Sequence, residues 1–203
     1  FPDRFCEGVP NKPLPFADRI YRPDKTGEPY FWPNEQSDGY LNMDYYGGDF
    51  AGIQQKLPYL EELGITCIYL NPIFEAHANH RYNTANYLKA DPLLGTNEDF
   101  EALCTAAQKY GIGIVLDGVF SHTGSDSLYF NRYGRYDSLG AYQSTESPYY
   151  PWYTFEQYPD RYRTWWGFDT LPAVNKENAD YQRYLLDPEE GILPRWVKKV
   201  ACG

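Results

Sequence analysis

The stretch ITCIYL at residues 65–70 and the stretch IGIVLD at residues 112–117 decide the fold of this chain. Each contains a short, almost uninterrupted apolar run, which is typical of a strand buried on both faces of a parallel sheet. Between them, Thr96 and Asp99 have the spacing of a capping box, and an apolar stripe of helical period follows. Parallel strands need a crossover of this kind, so the sequence predicts a right-handed βαβ unit.

Helical patterns also flank this unit. Before it, apolar residues recur every three or four positions at Phe50, Ile53, Leu57, Leu60 and Leu63. Pro58 within that run predicts a kink or restart, and Gly64 suits the position after a helix end. After the unit, one helix is predicted from about Ala179 until Pro188 stops it, and a second over residues 192–200.

Two long regions lack such patterns. Residues 118–176 show no sustained period and are rich in Tyr, Ser, Gly, Pro and Trp, which predicts an insertion or a small subdomain. Residues 1–48 predict a long ordered loop after a strand that ends at residues 1–5. The fold class is α/β. Because a closed eight-stranded barrel needs roughly 250 residues, these 203 residues form either an open sheet or an incomplete barrel.

Composition narrows the class of ligand. The chain has 18 Lys and Arg against 28 Asp and Glu, a formal charge of −10, and no basic stripe, so a nucleic-acid partner is not expected. No apolar run reaches the length of a membrane span. With 18% aromatic residues and 21 Tyr, the chain suits a neutral, hydroxyl-rich ligand, although the same rings also suit ordinary packing. The sequence carries no signal for an oligomeric state.

Four cysteines, at positions 6, 67, 104 and 202, form no metal-binding or disulfide pattern. Cys67 and Cys104 lie in apolar patterns and are expected to be buried. This cysteine usage favours a reducing compartment, with a lean towards the cytoplasm. The chain opens on Phe1 without an initiator methionine, so we expect an upstream part, and the lack of a leader at residue 1 has no weight.

All three histidines follow predicted strands. His77 and His80 come after the first strand, and His122 comes after the second, at the edge where parallel α/β folds bind ligands. Asp117 ends a buried strand, where a carboxylate is costly unless it is paired or used. These four side chains are residue types that bind Zn²⁺, although their spacing is not diagnostic. The sequence has no dinucleotide or phosphate loop, no nucleophile elbow and no HExxH motif.

Six stretches in chain order resemble conserved blocks of the α-amylase superfamily, glycoside hydrolase family 13. They are FPDRF at 1–5, YGGDFAGI at 46–53, YLNPIF at 69–74, HRYNTANY at 80–87, DGVFSHTG at 117–124 and LPAVN at 171–175. The last is similar to the form found in neopullulanases, cyclomaltodextrinases and maltogenic amylases. The resemblance covers nearly the whole chain.

This resemblance implies a partial (β/α)8 barrel of about three strands and three helices, with a small domain inserted after the third strand. Residues 1–117 are the first part of the barrel, 118–176 the insertion, and 177–203 the following helical region. The implied activity is retaining hydrolysis of α-glucosidic bonds in starch-type glucans. The family takes its nucleophile and acid/base from later strands, so we expect this chain to be a fragment that holds the N-terminal part of the barrel, stops before the fourth strand and is inactive alone.

The resemblance also implies residue roles. Asp117 supports an arginine beside the nucleophile and is not the attacking group. His122 hydrogen-bonds the sugar in the −1 subsite, which holds the ring whose anomeric carbon reacts, and Tyr82 stacks under that ring. His80 is a further −1 candidate. Trp165 and Trp166 either line the cleft or pack against the barrel.

No cofactor is required by this chemistry, but relatives often hold a structural Ca²⁺. The candidate oxygen ligands here are Gly47, Asp49, Glu7 and Asn11. Val9 and Lys12 stand where further ligands are wanted. At a second family calcium position Ser121 replaces an Asn and is a poorer ligand.

Three other functions remain open from the sequence. The first is a transglycosylase or sucrose-active relative on the same fold, and the second is a non-catalytic carbohydrate-binding relative. The third is the zinc-dependent hydrolase. In the leading reading of the resemblance the partner is an α-glucan or malto-oligosaccharide.

Overall fold

The computed structural model describes residues 1–15, 17, 19–22, 24 and 42–201. Part of the predicted loop over residues 1–48 lies outside this set, as does Cys202. Within the described residues, no helix is both long and apolar enough to cross a bilayer.

The described helices and strands follow the chain in a mixed order. The first half contains α1 (Pro2–Phe5), β1 (Ile20–Tyr21), β2 (Asp44–Tyr45), α2 (Phe50–Gln55), α3 (Leu57–Glu62), β3 (Cys67–Leu70), β4 (Phe74–Ala76), β5 (Thr84–Ala90), α4 (Asn97–Lys109) and β6 (Gly113–Leu116). The second half contains a 3-10 turn (Tyr150–Trp152), β7 (Phe155–Gln157), β8 (Arg161–Tyr162), β9 (Thr164–Trp165), β10 (Phe168–Pro172), α5 (Ala179–Leu186) and α6 (Ile192–Ala201).

The parallel unit predicted from the two apolar runs is confirmed. β3 pairs with β6 in parallel, from Cys67 opposite Gly113 to Leu70 opposite Leu116. α4 lies between them in sequence, and its capping box is formed by Thr96 and the side chain of Asp99. Because the strands run in the same direction, their carboxyl ends open at one edge.

The expected burial of both sheet faces is wrong for this chain. Tyr69 is 60% exposed and Val115 is 44% exposed, and Cys67 beside them is exposed as well. Side chains alternate across a strand, so these residues share one face of the pair, while Leu70 and Ile114 point into the core on the other. The described helices cover only that second face.

The predicted strand at the start of the chain is also wrong, because Pro2–Phe5 forms a short helix. Pro suits a first helical turn, where its missing N–H has no partner to lose. The chain then packs tightly on the next block: a Cβ on Gly48 would lie 2.1 Å from the Pro2 carbonyl oxygen, and a Cβ on Gly52 1.9 Å from that of Cys6. The glycines of the YGGDFAGI block therefore allow this contact.

The predicted break near Pro58 is confirmed, since α2 ends and α3 begins at Lys56. Gly64 follows with a φ of 82°, as expected for a residue after a helix end. Near the C-terminus, α5 and α6 confirm the last two predicted helices. Trp196 of α6 is buried, and its Nε1 donates to the Tyr87 carbonyl at 2.7 Å.

Residues 118–176 contain only short elements, in line with their lack of period. The start of the segment contacts the barrel part, where the Gly124 amide donates to the Thr84 carbonyl at 2.9 Å. An antiparallel bridge between His122 and Ala173 joins the two ends of the segment. Aromatic rings from this segment join the same hydrophobic core as the helices. The boundaries 1–117, 118–176 and 177–203 stay predictions.

Candidate active site

Tyr82 and Asp117 meet at the carboxyl edge of the parallel strands. Asp117 directly follows β6, and its amide donates to the Leu70 carbonyl at 3.1 Å, which extends the pairing with β3. Tyr82 comes from the loop between β4 and β5, an antiparallel hairpin that the sequence did not predict. The Tyr82 hydroxyl donates to Asp117 Oδ2 at 2.8 Å and accepts from Asn71 Nδ2 at 3.2 Å. Two hydrogen bonds therefore fix the position of the Tyr82 hydroxyl.

His122 joins the same cluster through its ring nitrogens. Its Nε2 lies 3.0 Å from the carbonyl oxygen of Tyr82, and its Nδ1 lies 3.0 Å from the hydroxyl of Ser121. A carbonyl can only accept, so Nε2 carries the proton and Nδ1 accepts from Ser121. His122 is buried, and burial lowers its pKa. The ring is neutral near pH 7.

His80 lies on the other side of Tyr82. Its Nδ1 accepts from the Tyr82 amide at 3.0 Å, and the two rings are 5.9 Å apart. Burial, together with the charge of Arg81 and the neighbouring His122, lowers the pKa of His80 to about 4. His80 is thus also neutral at pH 7, with its Nε2 as the proton-bearing nitrogen.

The electrostatics keep the phenol of Tyr82 protonated. Desolvation, followed by the hydrogen bond to Asp117 and the charge of that carboxylate, raises the pKa of Tyr82 to about 12. The same causes raise the pKa of Tyr69. This residue lies on β3 next to Asp117, and it was not predicted as a site residue from the sequence. Around the carboxylate of Asp117 the described groups are therefore neutral hydrogen-bond donors.

These side chains border an open cleft of about 1220 Å³. His80, Tyr82, His122 and Trp165 are among the residues that line it. Residues that sequence reasoning did not propose also line it, among them Tyr133, Arg135 and Asp126. A wide cleft lined by both aromatic rings and polar side chains suits a ligand that presents both apolar faces and hydroxyls.

His77 is set apart from the other two histidines. It is fully buried, its Nδ1 lies 3.2 Å from Arg135 Nη1, and burial with the charges of Arg19 and Arg135 lowers its pKa to about 2. Within the described residues no group of three His, Cys, Asp or Glu side chains converges on one point. The zinc site considered for His77, His80, Asp117 and His122 is therefore wrong.

Two of the residues proposed for calcium, Gly47 and Asp49, contact the side chain of Lys12. Lys12 Nζ donates to the Val9 carbonyl at 3.0 Å and to the Gly47 carbonyl at 3.1 Å, and it also contacts Asp49 Oδ2. Asp49 accepts further bonds from the amides of Gly8 and Gly52, at 3.0 and 2.7 Å. These oxygens converge as they would on a cation, but the ammonium of Lys12 lies among them, so the residues present do not fit a Ca²⁺ at that point.

Residues 1–190 match the family described as "Alpha amylase, catalytic domain". The chain is 40% identical to an amylopullulanase of Thermoanaerobacterium saccharolyticum over 97% of its own length and 17% of that protein. It is 34% identical to an intracellular maltogenic amylase of Bacillus subtilis (strain 168), over 98% of the chain and 30% of that protein.

A solved structure agrees with these sequences. A cyclic α-maltosyl-(1→6)-maltose hydrolase from Arthrobacter globiformis, in complex with cyclic α-maltosyl-(1→6)-maltose, superimposes with a TM-score of 0.78 at 30% identity. The match covers 98% of this chain and 40% of the hydrolase. The chain thus spans well under half the length of the relatives it matches, and the partial barrel predicted from the sequence is confirmed.

Proposed function

The chain belongs to the α-amylase family, and from that membership we propose that it forms the first part of the catalytic barrel of a retaining α-glucan hydrolase. Its substrate is a starch-type glucan or malto-oligosaccharide. The observation that carries the proposal is the cluster of Tyr82, Asp117 and His122 at one edge of the parallel strands.

In this proposal Tyr82 stacks under the sugar of the −1 subsite. The reaction develops positive charge on that ring as the glycosidic bond breaks, and an electron-rich aromatic face attracts positive charge. The bonds from Asn71 and to Asp117 fix the phenol before the substrate arrives, so little ordering remains to be done on binding. With a pKa raised to about 12, Tyr82 acts as a neutral ring and not as an acid or base.

The two cleft histidines supply neutral hydrogen-bond donors to sugar hydroxyls. The Nε2–H of His122, which donates to the Tyr82 carbonyl, turns to a hydroxyl of the −1 sugar when that sugar enters. His80 offers a second donor beside it. Both rings are neutral at pH 7 because burial lowers their pKa values, so they bind a neutral sugar without placing a full positive charge beside a developing cation.

Asp117 is a supporting residue and not the nucleophile. One of its oxygens is bonded to Tyr82, and in the family this position holds an arginine beside the nucleophile. Retaining hydrolysis needs two carboxyl groups about 5–5.5 Å apart, one attacking the anomeric carbon and one protonating the leaving oxygen. By the family's pattern those two groups come from later strands, outside residues 1–203.

We also infer that the reaction needs no cofactor and that Lys12 takes the structural place of a Ca²⁺. Its ammonium neutralises Asp49 and satisfies two carbonyl oxygens, which is the work a divalent ion does in such a loop. The free thiols of Cys6, Cys67 and Cys104 support a reducing compartment, as does the intracellular relative from Bacillus subtilis.

The test uses the full-length protein with Tyr82→Ala, Tyr82→Phe and, as a matched control, Tyr59→Ala. Tyr59 is 54% exposed on α3. We expect Tyr82→Ala to lower kcat/KM on maltohexaose by about 30-fold, the equivalent of a cation–π contribution near 2 kcal/mol. Tyr82→Phe keeps the ring and loses the bond to Asp117, so we expect about a threefold to tenfold loss.

The outcomes separate the candidate functions. Equal activity of Tyr82→Ala and the wild type would refute the role of the ring. Longer oligosaccharides among the products would favour the transglycosylase, and release of fructose from sucrose would favour the sucrose-active relative. Binding of maltohexaose without turnover by the wild type would favour the non-catalytic relative.

A further inference from the structure

A row of aromatic rings leads outward from the candidate −1 cluster. The ring of Trp165 lies 5.1 Å from that of His122, and the ring of Trp166 lies 4.9 Å from that of Trp165 with only 6° between the planes. Phe168 adds a further near-parallel ring at 6.3 Å from Trp165. The row therefore starts at a cleft residue and ends at Trp166.

Trp166 is placed against the normal preferences of a tryptophan. It is 82% exposed, the largest value among the exposed large hydrophobic side chains of the described chain. An exposed indole of this kind gains little from burial in the fold. Its stacking on Trp165 leaves the greater part of the ring open to solvent.

The backbone at Trp166 is strained as well. Trp166 and Gly167 connect the antiparallel strands β9 and β10, and both have positive φ values, 53° and 83°. Such a two-residue turn is normally built from Asn, Asp or Gly, because a Cβ is disfavoured at positive φ. A residue that strains the turn and exposes its ring stabilises the fold less than Asn would, so the ring serves something other than folding.

We propose that Trp166, backed by Trp165, forms a stacking subsite for a glucose unit of the same α-glucan chain that enters the −1 subsite. The inference rests on the proposed function and extends it to a specificity-determining residue. A glucose ring presents C–H groups on its faces and hydroxyls at its rim, so it can cover an indole while its hydroxyls stay in water. The contact carries no charge and favours longer chains over short substrates.

The experiment uses the full-length protein and two substrates of different length, maltohexaose and p-nitrophenyl α-glucoside. Trp166→Asn removes the ring and relieves the turn, Trp166→Ala removes the ring alone, and Trp166→Phe keeps a smaller ring. We expect the first two variants to lower kcat/KM on maltohexaose roughly tenfold, mainly through KM, with the aryl glucoside unchanged. Trp166→Phe should retain most activity, and Tyr59→Ala should match the wild type on both substrates.

Several results would overturn the proposal. Equal losses on both substrates, or a lowered melting temperature in Trp166→Asn, would mean that the ring has a structural role in the complete protein. Unchanged maltohexaose kinetics would mean that it has no role in binding.

If the wild type hydrolyses neither substrate, the proposed function fails, and the subsite is then tested by tryptophan fluorescence titrated with maltohexaose. A saturable change that Trp166→Asn abolishes would support the subsite, and no change in the wild type would refute it.

Discussion

Replacing Lys12 by Met tests whether an amine substitutes for a metal ion in the loop before α2. The ammonium of Lys12 donates to the carbonyl oxygens of Val9 and Gly47 and contacts the carboxylate of Asp49. The side chains of Lys12 and Asp49 are only 12% and 2% exposed. Methionine keeps most of the length of the side chain and removes all three contacts.

The expected destabilisation depends on the charge of Asp49, which remains buried after Lys12 is replaced. Removing one partner of a buried ion pair costs about 3–5 kcal/mol, because the other charge loses its compensation. Asp49 keeps amide donors from Gly8, Val9 and Gly52, at 3.0, 2.9 and 2.7 Å, so its charge is not wholly unsatisfied. We therefore expect about 3 kcal/mol of destabilisation. The bond from the Gly52 amide to Asp49 caps α2, so we expect the destabilisation to act at the start of that helix.

The assay is thermal unfolding of the full-length protein with EDTA and with added Ca²⁺. We expect the wild-type melting temperature to be the same in both, and Lys12→Met to melt lower in both. Lys12→Asn adds an amide oxygen in place of the ammonium, so Ca²⁺ at 100 times its dissociation constant should stabilise it by about 2.7 kcal/mol. Lys56 is exposed, so the control Lys56→Met should change the free energy of unfolding by no more than about 0.5 kcal/mol.

The reasoning is refuted if EDTA lowers the wild-type melting temperature and Ca²⁺ restores it, because the loop would then hold a metal despite its lysine. The reasoning is also refuted if Lys12→Met has the same melting temperature as the wild type.

Two further predictions concern the loop that carries Tyr82. Arg81 and Asp91 are paired at 3.3 Å and both buried, so Arg81→Met should lower the free energy of unfolding by about 3–5 kcal/mol in urea denaturation, and a loss below about 1 kcal/mol would contradict the pairing. Burial first, then Arg81 and His122, lowers the pKa of His80 to about 4 from its ordinary 6.5. As the pH falls below 6.5, His80 therefore binds a proton in the unfolded chain before it does so in the folded chain. The free energy of unfolding that is present above pH 6.5 decreases as the pH falls towards 4. His80→Gln should flatten this part of a melting-temperature profile, and parallel profiles for the two proteins would show that His80 does not titrate differently on folding.

Elements with long, regular patterns could be predicted from the sequence, and short elements could not. The βαβ unit was predictable because its two strands are apolar runs and its helix carries a capping box. The β4–β5 hairpin was missed because Phe74–Ala76 has only three residues and its register shifts against β5. The helix Pro2–Phe5 was mistaken for a strand because four residues are too few to show a period.

The same limit applies to the site. Strand order and the family resemblance predicted one shared edge for Asp117, Tyr82 and His122. The structure brings these three residues together. Their actual partners did not follow from either. Asn71 bonds Tyr82 across 11 residues and His122 bonds its carbonyl across 40, and both contacts depend on a hairpin loop whose path no local pattern encodes.

Backbone strain links this loop to the aromatic row. Among the described residues other than glycine, five have positive φ values, and three of them are Asn, which tolerates that conformation. The two that do not are Arg81, at 62°, and Trp166, at 53°. Arg81 stands between His80 and Tyr82, whose side chains line the cleft on either side of it, while its own side chain is buried on Asp91. Trp166 holds an indole at the outer end of the row that begins at His122. Strain that a sequence could have avoided with Asn thus falls at two positions whose chain neighbours line the cleft. The buried ion pair with Asp91 accounts for Arg81, whereas the strain at Trp166 is what is expected if the proposed sugar subsite, and not folding, fixed that residue.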